Sequence, residues 1–250
     1  MTATRHRHLA AQNISVLYED DSLLVIAKPS GLLVLPDRYD KERPNVYHCC
    51  LQEFGELFIV HRIDKETSGI LLIAKTAKAH AALNTSFQNR EVQKTYLALS
   101  KGTAAESEGV VNSPLREHSG HRGMVVDEKH GKPSITRYRV LERFRGFAWV
   151  EARPVTGRTH QVRVHLREIG LPIVGDPLYG DGAPLLLSGI KKDYRGREEE
   201  KPLIGRTALH ASALVFEHPV SGRQIDCKAP LPKDMNAALQ RLRKYSPWSG

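Results

Sequence analysis

Apolar and polar segments alternate along the chain, and the apolar ones have the lengths of short β-strands. Apolar runs over 14–18 and 23–27 flank four polar residues, a pattern typical of a β-hairpin. The apolar runs 57–60 and 70–74 have the length of buried strands, and a polar stretch separates them. This part of the chain is therefore predicted to hold a polar loop between two buried strands.

The same strand signals continue through the rest of the chain. Residues 92–100 alternate in polarity, which places Leu97 and Leu99 on one face of a strand and Tyr96 on the other. Two more antiparallel pairs are predicted, 135–144 with 147–153 and 213–217 with 223–228. Strand hairpins therefore make up most of the predicted structure.

Three segments have the spacing of helices instead. Residues 77–90 and 233–245 are predicted to be helical, the second at the C-terminus. A third helix is predicted from the spacing of Val162, Leu166 and Ile169. Because hairpins dominate and no regular βαβ alternation is present, we expect the α+β class, with a largely antiparallel or mixed sheet and flanking helices.

No repeat, low-complexity block or linker divides the chain into several domains. We expect a flexible N-terminal segment over 1–13, one domain over 14–232, and a C-terminal helix and tail over 233–250. The densely charged segment 191–201 is expected to be a mobile surface loop.

Composition excludes several classes of protein. Of the 250 residues, 40% are hydrophobic and 26% are charged, as in globular proteins. No apolar run approaches the ~18 residues of a membrane span, and the N-terminus lacks the apolar core of a secretory signal. The three cysteines, two of them adjacent, do not form a disulfide framework. A cytoplasmic location is expected, since free cysteines fit a reducing compartment.

The net charge of +9 is weak evidence for nucleic acid, because many basic proteins bind none. Residues 152–167 are more informative, since they contain four arginines, two histidines and no aspartate or glutamate. A solvated helix face is the ordinary explanation, although surface helices usually mix both signs. His160, Arg163 and Arg167 lie off the apolar stripe, so we expect them to point toward a cleft or solvent.

Asp64 is the first candidate for chemistry. It lies in the polar loop between two apolar strands, beside His61 and Arg62, and loops on rigid scaffolds often carry functional groups. The alternative is an aspartate that only caps the following turn. The histidine and cysteine spacings match no metal motif, and the glycines match neither a P-loop nor a dinucleotide fingerprint. We therefore expect no metal and no cofactor.

Several motifs occur together in a specific order. They are Lys28-Pro29-Ser30-Gly31-Leu32, His61-Arg62-Ile63-Asp64, Thr67-Ser68-Gly69, Lys94-Thr95-Tyr96, Thr156-Gly157-Arg158-Thr159-His160-Gln161-Val162-Arg163-Val164-His165-Leu166, Gly170-Leu171-Pro172-Ile173-Val174-Gly175-Asp176 and Leu209-His210-Ala211. In this order they resemble the RluA family of RNA pseudouridine synthases over about residues 14–230. The resemblance implies the pseudouridine synthase fold with a central RNA-binding cleft, and isomerisation of uridine to pseudouridine without a cofactor.

The resemblance also implies roles for individual residues. Asp64 would be the essential carboxylate, either attacking the ribose or assisting departure of the base, and Arg163 would pair with it. Tyr96 would pack on the target base and take part in removing the C5 proton. Arg62 would enter the gap left by the flipped base, since a planar guanidinium can stack there. The remaining substrate contacts would be His61, Arg158, His160 and Arg167.

The partner implied is a stem-loop in transfer RNA, in 23S-type large-subunit ribosomal RNA, or in both. About thirteen residues precede the first predicted strand, too few for the S4-type RNA-binding domain of many relatives, so a single-domain member is expected. A monomer is the default expectation. Two alternatives stay open: a non-catalytic RNA-binding or RNA-chaperone module on the same fold, and a carboxylate-based hydrolase of a sugar or nucleoside, which would need a second placed carboxylate.

Overall fold

The computed structural model describes residues 6–103, 105–194 and 199–248, and the chain forms two compact units. Unit 1 consists of Met1–Lys94 and Ala211–Pro230, and unit 2 of Thr95–His210 and Leu231–Gly250. The sequence predicts one domain over 14–232. The chain passes between the units within strands, after Lys94 and before Ala211, so no polar linker marks the division.

Strands outnumber helices, as the hydrophobic pattern predicts. The helices are α1 (Arg7–Ala11), α2 (Val46–Phe54), α3 (Ala77–Gln88), α4 (Gln161–Glu168) and α5 (Lys233–Tyr245). The strands are β1 (Ser15–Glu19), β2 (Leu23–Lys28), β3 (Phe58–Ile59), β4 (Ser68–Ala74), β5 (Gln93–Lys101), β6 (Glu108–Asn112), β7 (Leu115–Glu117), β8 (Met124–Val126), β9 (Ile135–Phe144), β10 (Phe147–Pro154), β11 (Leu209–Glu217) and β12 (Gln224–Lys228). The α+β class is confirmed.

In unit 1 the strands lie in the order β1-β2-β4-β11, with β12 beside β11 and β3 beside β4. The predicted hairpin pairs β1 with β2 antiparallel, and β2 continues to Lys28, which lies opposite Gly69 of β4. Every residue of β4 is buried, which is why this strand has a continuous apolar sequence rather than an alternating one. Leu83 of α3 packs into the same core.

Asp20 organises the turn between β1 and β2. Its carboxylate accepts hydrogen bonds from the backbone N–H groups of Ser22 and Leu23, each at 2.8 Å, and from the Tyr18 hydroxyl at 2.7 Å. His218 Nε2, from the turn between β11 and β12, lies 2.8 Å from the same carboxylate. Burial alone would raise the pKa of Asp20, but these hydrogen bonds outweigh it and lower the pKa to about 2.

In unit 2 the strands lie in the order β5-β10-β9-β6, and each neighbouring pair is antiparallel. The predicted pair 135–144 with 147–153 is confirmed as β9 and β10, joined at Arg145-Gly146. Strands β7 and β8 form a separate hairpin that the hydrophobic pattern does not indicate. Helices α4 and α5 pack on the sheet through Val162, Leu166 and Leu239.

Helix α4 is confirmed at Gln161–Glu168, but its surroundings differ from the expectation. All six residues from Gln161 to Leu166 are buried, including Arg163, which was expected to face a cleft or solvent. The face opposite the sheet is covered, because Val164 packs against Leu115, Met124 and Tyr179. A contact between segments this distant in sequence leaves no trace in the helical periodicity.

The structure also differs from the sequence prediction at the N-terminus and before β3. Residues 7–11 form α1, in which Leu9 is fully buried, whereas the sequence predicts a flexible segment over 1–13. Helix α2 was not predicted; it begins after Asn45, whose side chain accepts a hydrogen bond from the His48 N–H. The predicted mobile loop 191–201 lies partly outside the described residues, which omit 195–198. No helix among the described residues is long and apolar enough to span a bilayer.

Candidate active site

Asp64 lies in the turn that joins β3 to β4. Its backbone carbonyl accepts a hydrogen bond from Thr67 N at 3.1 Å, and its side chain is half-buried. Thr67 and Ser68, which follow, are buried at the start of β4. The carboxylate is therefore carried by a short turn that begins a fully buried strand.

A second turn anchors the chain immediately after Asp64. The ammonium group of Lys28 is buried and donates to the backbone carbonyls of Pro29 (2.9 Å), Leu32 (2.7 Å) and Lys65 (3.0 Å). The Lys65 carbonyl also accepts from the Gly31 N–H at 2.8 Å. A further bond runs from the Ser30 hydroxyl to the Glu66 carbonyl at 2.6 Å. The Lys-Pro-Ser-Gly segment thus clamps the two residues next to Asp64.

His61 anchors the chain on the other side of Asp64. Its Nε2 accepts a hydrogen bond from the Leu72 N–H at 3.0 Å, and its ring stacks on Phe87 at 5.0 Å between centroids. Burial, with a smaller effect of the Lys94 charge, lowers the pKa of His61 to about 3. The imidazole is therefore neutral at pH 7 and offers no positive charge to a phosphate. Arg62 beside it is exposed.

In unit 2 the central feature is a buried ion pair between Arg163 of α4 and Asp176. Arg163 Nε donates to Asp176 Oδ2 and Arg163 Nη2 donates to Asp176 Oδ1, both at 2.7 Å. Burial alone would raise the pKa of Asp176, but the hydrogen bonds and charge of Arg163 outweigh it and hold the pKa below its ordinary value. Both groups are therefore charged at neutral pH.

Tyr179 covers the Arg163 guanidinium. The ring centroid lies 4.9 Å from Arg163 Cζ, within the range of a cation–π contact. The Tyr179 hydroxyl accepts the Met124 N–H at 2.7 Å and lies 2.8 Å from His160 Nδ1. His160 was expected within the helix, but it precedes α4 with a left-handed backbone of φ 52°. These contacts connect α4, the 176–180 loop and the β7–β8 hairpin.

Gln161 organises the loop that leads into α4, and sequence reasoning gave it no role. Its Oε1 accepts from the Thr156 hydroxyl at 2.7 Å and from the Arg158 N–H at 3.0 Å. Its Nε2 donates to the Ile135 carbonyl and the Thr136 hydroxyl, each at 2.9 Å. The buried amide thereby ties this loop to the start of β9. Its place between Thr159 and Arg163 in the motif is the only sequence signal that pointed to it.

The remaining predicted site residues of unit 2 lie at its surface or on its sheet. Tyr96 is half-buried on β5, opposite Ala152 of β10. Arg158 is exposed, and so is Arg167, which lines an open cavity of about 330 Å³ together with Lys101 and other residues of this unit. Both arginines are accessible to a large polyanion.

Asp64 and its neighbours belong to unit 1, whereas Tyr96, Arg158, His160, Arg163 and Arg167 belong to unit 2. The structure brings Arg163 and His160 together around Tyr179, and it brings His61 and Lys28 to the two sides of the Asp64 turn. The pairing of Arg163 with Asp64 stays a prediction. Within residues 6–103, 105–194 and 199–248, no three His, Cys, Asp or Glu side chains are grouped to hold a metal ion.

Comparisons with known proteins agree on one family. The sequence profile described as RNA pseudouridylate synthase matches residues 22–168. Ribosomal large subunit pseudouridine synthase D of Xanthomonas campestris pv. campestris is 40% identical over 250 residues, which cover 96% of this chain and 73% of the relative. The uncharacterized RNA pseudouridine synthase YlyB of Bacillus subtilis is 36% identical over 93% of this chain and 74% of its own length.

A solved structure supports the same conclusion. The human RNA pseudouridylate synthase domain containing 4 protein superposes with a TM-score of 0.70 at 28% identity, covering 92% of this chain and 93% of that one. Similarity in sequence and in fold therefore extends over nearly the whole chain. The chain belongs to the RNA pseudouridylate synthase family, of the RluA type that its motifs resemble, and is an isomerase acting on RNA.

Proposed function

We propose that this protein isomerises uridine to pseudouridine in large-subunit ribosomal RNA, with Asp64 as the essential carboxylate. The observation that carries this proposal is the anchored Asp64 turn. His61 holds the chain before the aspartate, and Lys28 with Ser30 holds it after the aspartate. A half-buried carboxylate on so fixed a backbone is suited to act repeatedly at one atom of a substrate.

The reaction exchanges one glycosidic bond for another. The bond from ribose C1′ to uracil N1 breaks, the uracil turns, and a bond from C1′ to C5 forms. N1 gains a proton and C5 loses one, so atoms balance and no redox partner is required. Asp64 would either attack the ribose or assist departure of the base. Arg163 would face the carboxylate, and Tyr96 would pack on the uracil near the C5 proton.

Access to the uridine requires that the nucleotide leave its stack, at a cost of a few kcal/mol. Arg62 is exposed next to Asp64 and would fill the vacated position with its planar guanidinium. Arg158 and Arg167 are exposed and would contact phosphates, with His160 close to them in sequence. For His61 we propose support of the Asp64 turn rather than a phosphate contact, because its ring is neutral and its Nε2 is occupied by Leu72.

The names of the relatives support the choice of RNA. Several proteins 35–40% identical to this one are named ribosomal large subunit pseudouridine synthase D. We propose a stem-loop of the large-subunit RNA as the target, transfer RNA as a second candidate, and a monomer acting in the cytoplasm. A non-catalytic RNA-binding module is not favoured, because Asp64, Tyr96 and Arg163 are all present.

Tritium release tests the proposal. Large-subunit ribosomal RNA and bulk transfer RNA, each labelled with tritium at uridine C5, are incubated with wild type, with Asp64→Asn and with Asp226→Asn. Asp226 is an exposed aspartate of unit 1 and serves as the matched control. We expect release by wild type and Asp226→Asn and none by Asp64→Asn. Equal release by all three proteins would exclude Asp64, and free uracil as product would indicate a hydrolase.

A further inference from the structure

We propose that Asp176 is a positioning residue that acts through Arg163, holding the guanidinium in the orientation that the isomerisation needs. The inference rests on the proposed function, and it concerns a residue outside the motif that carries Asp64. Asp176 lies 13 residues after Arg163 in sequence and fully inside unit 2. It does not need to touch the RNA for the role proposed here.

The geometry of the pair determines where the rest of the guanidinium points. Asp176 engages the side of the guanidinium formed by Nε and Nη2, with both distances at 2.7 Å. A guanidinium has five N–H donors, so three of them lie outside this pair. A bidentate contact fixes the guanidinium plane as well as its distance, because two parallel hydrogen bonds allow little rotation. The Nη1 edge is thereby aimed in one direction.

Asp176 is itself held rigidly. Its Oδ1 accepts from the N–H groups of Leu178 (3.0 Å) and Tyr179 (3.2 Å), and its carbonyl accepts from Gly180 N at 3.1 Å. The preceding Gly175 has a φ of +70°, and a Cβ there would lie 2.2 Å from the Arg206 carbonyl oxygen. Only glycine fits that position, so the backbone before Asp176 packs directly on a neighbouring segment.

Tyr179 prevents the remaining motion of Arg163. Its ring lies over the guanidinium, and its hydroxyl is held by Met124 N and lies beside His160 Nδ1. Rotation of the guanidinium out of its plane would collide with this ring. The same short loop therefore supplies the ion pair through Asp176 and the covering ring through Tyr179. Such fixation matters when a charged group must meet a reacting carboxylate, because a misplacement of about 1 Å can cost ~100-fold in rate.

A purely structural ion pair makes a different prediction, and unit 2 contains a control for it. Arg206 pairs with Asp234 through the same two nitrogens, Nε and Nη2, at 2.7 and 3.0 Å. If Asp176 served only to compensate a charge, then Asp176→Glu would suffice, since it keeps the carboxylate. If Asp176 positions Arg163, the extra methylene of glutamate displaces the guanidinium, and turnover falls while the fold is kept.

The experiment measures single-turnover tritium release at saturating enzyme, RNA affinity and thermal unfolding for Asp176→Glu, Asp176→Asn and Asp234→Asn. Both Asp176 changes are then repeated with Arg163→Ala. We expect Asp176→Glu to unfold near the wild-type temperature and bind RNA within about threefold of wild type, yet to turn over about 10- to 100-fold more slowly. Asp234→Asn should lose stability and keep its rate. In the Arg163→Ala background, Asp176→Glu should have little further effect on the rate.

Two results would overturn the inference. One is a wild-type rate for folded Asp176→Glu, and the other is an equal loss of rate with and without Arg163. Asp176→Glu also keeps the test decisive if Asp176→Asn does not fold. Failure of the proposed function is distinguishable, because it would appear as absence of tritium release by the wild type itself.

Discussion

Replacement of Lys28 by methionine tests how firmly the Asp64 turn is held. Methionine has a similar length and shape, so the change removes the ammonium group while leaving little empty volume. Lys28 is 1% exposed, and its ammonium group donates to three carbonyls, of which Lys65 O keeps the Gly31 N–H as a donor. The carbonyls of Pro29 and Leu32 lose a charged donor.

The expected loss of stability follows from these lost hydrogen bonds. A hydrogen bond to a charged group contributes about 1.5–3 kcal/mol, and methionine recovers part of this because it carries no ammonium to desolvate. We therefore expect Lys28→Met to lower the free energy of unfolding by about 3 kcal/mol, or the melting temperature by about 10 °C for a chain of this size. The rate of tritium release should fall by a larger factor than the fraction of folded protein, because the hydrogen bonds that hold the backbone next to Asp64 are lost.

Urea denaturation and single-turnover tritium release measure the two effects separately. Lys75→Met is the matched control in the same unit. Its Nζ donates to the Asp20 carbonyl at 2.7 Å and lies 3.3 Å from Glu19, in a more accessible position, so its loss should cost about 1 kcal/mol or less and leave the rate unchanged. A Lys28→Met protein with the stability and the rate of wild type would refute the clamp.

Three other predictions concern backbone space, acid stability and salt. Gly69→Ala should lower the free energy of unfolding by about 2 kcal/mol or more, because φ is +116° and a Cβ would clash with the Ala211 carbonyl oxygen at 2.1 Å. Gly146→Ala is the control: its φ is +78° but the space around it is open, so it should cost only about 1 kcal/mol in the same urea assay. Because the pKa of Asp20 is lower in the folded protein than in the unfolded chain, its ionised carboxylate stabilises the fold by about 2 kcal/mol above pH ~4. This contribution should disappear as the pH falls toward 2, so the stability of Asp20→Asn should depend less on pH in that range. The same pH dependence in both proteins would contradict this. The logarithm of RNA affinity should fall linearly with the logarithm of salt concentration. Arg167→Ala should reduce the steepness of this dependence by about 1 and leave the single-turnover rate unchanged. An unchanged slope would show that Arg167 does not contact a phosphate.

The hydrophobic pattern was sufficient for most elements, because their signals are local. The hairpin of β1 and β2, the pair of β9 and β10, and the bounds of α5 follow from period-two alternation, turn residues and helical spacing within each segment. The order of the motifs likewise indicated the family and singled out Asp64. Helices α1 and α2 and strands β6, β7 and β8 were missed, since their short, mixed sequences have neither period clearly.

Burial and partners were decided by the tertiary structure. Helical periodicity assigned Arg163 to the face away from the sheet, but it contained no information that the β7–β8 hairpin and the 176–180 loop cover that face. The partner Asp176 and the ring of Tyr179 come from a loop beyond the helix, and the hydrogen bond that makes His61 an acceptor comes from the neighbouring strand β4. Local sequence sets the conformation of a segment, whereas the charge state and aim of a side chain depend on what folds against it.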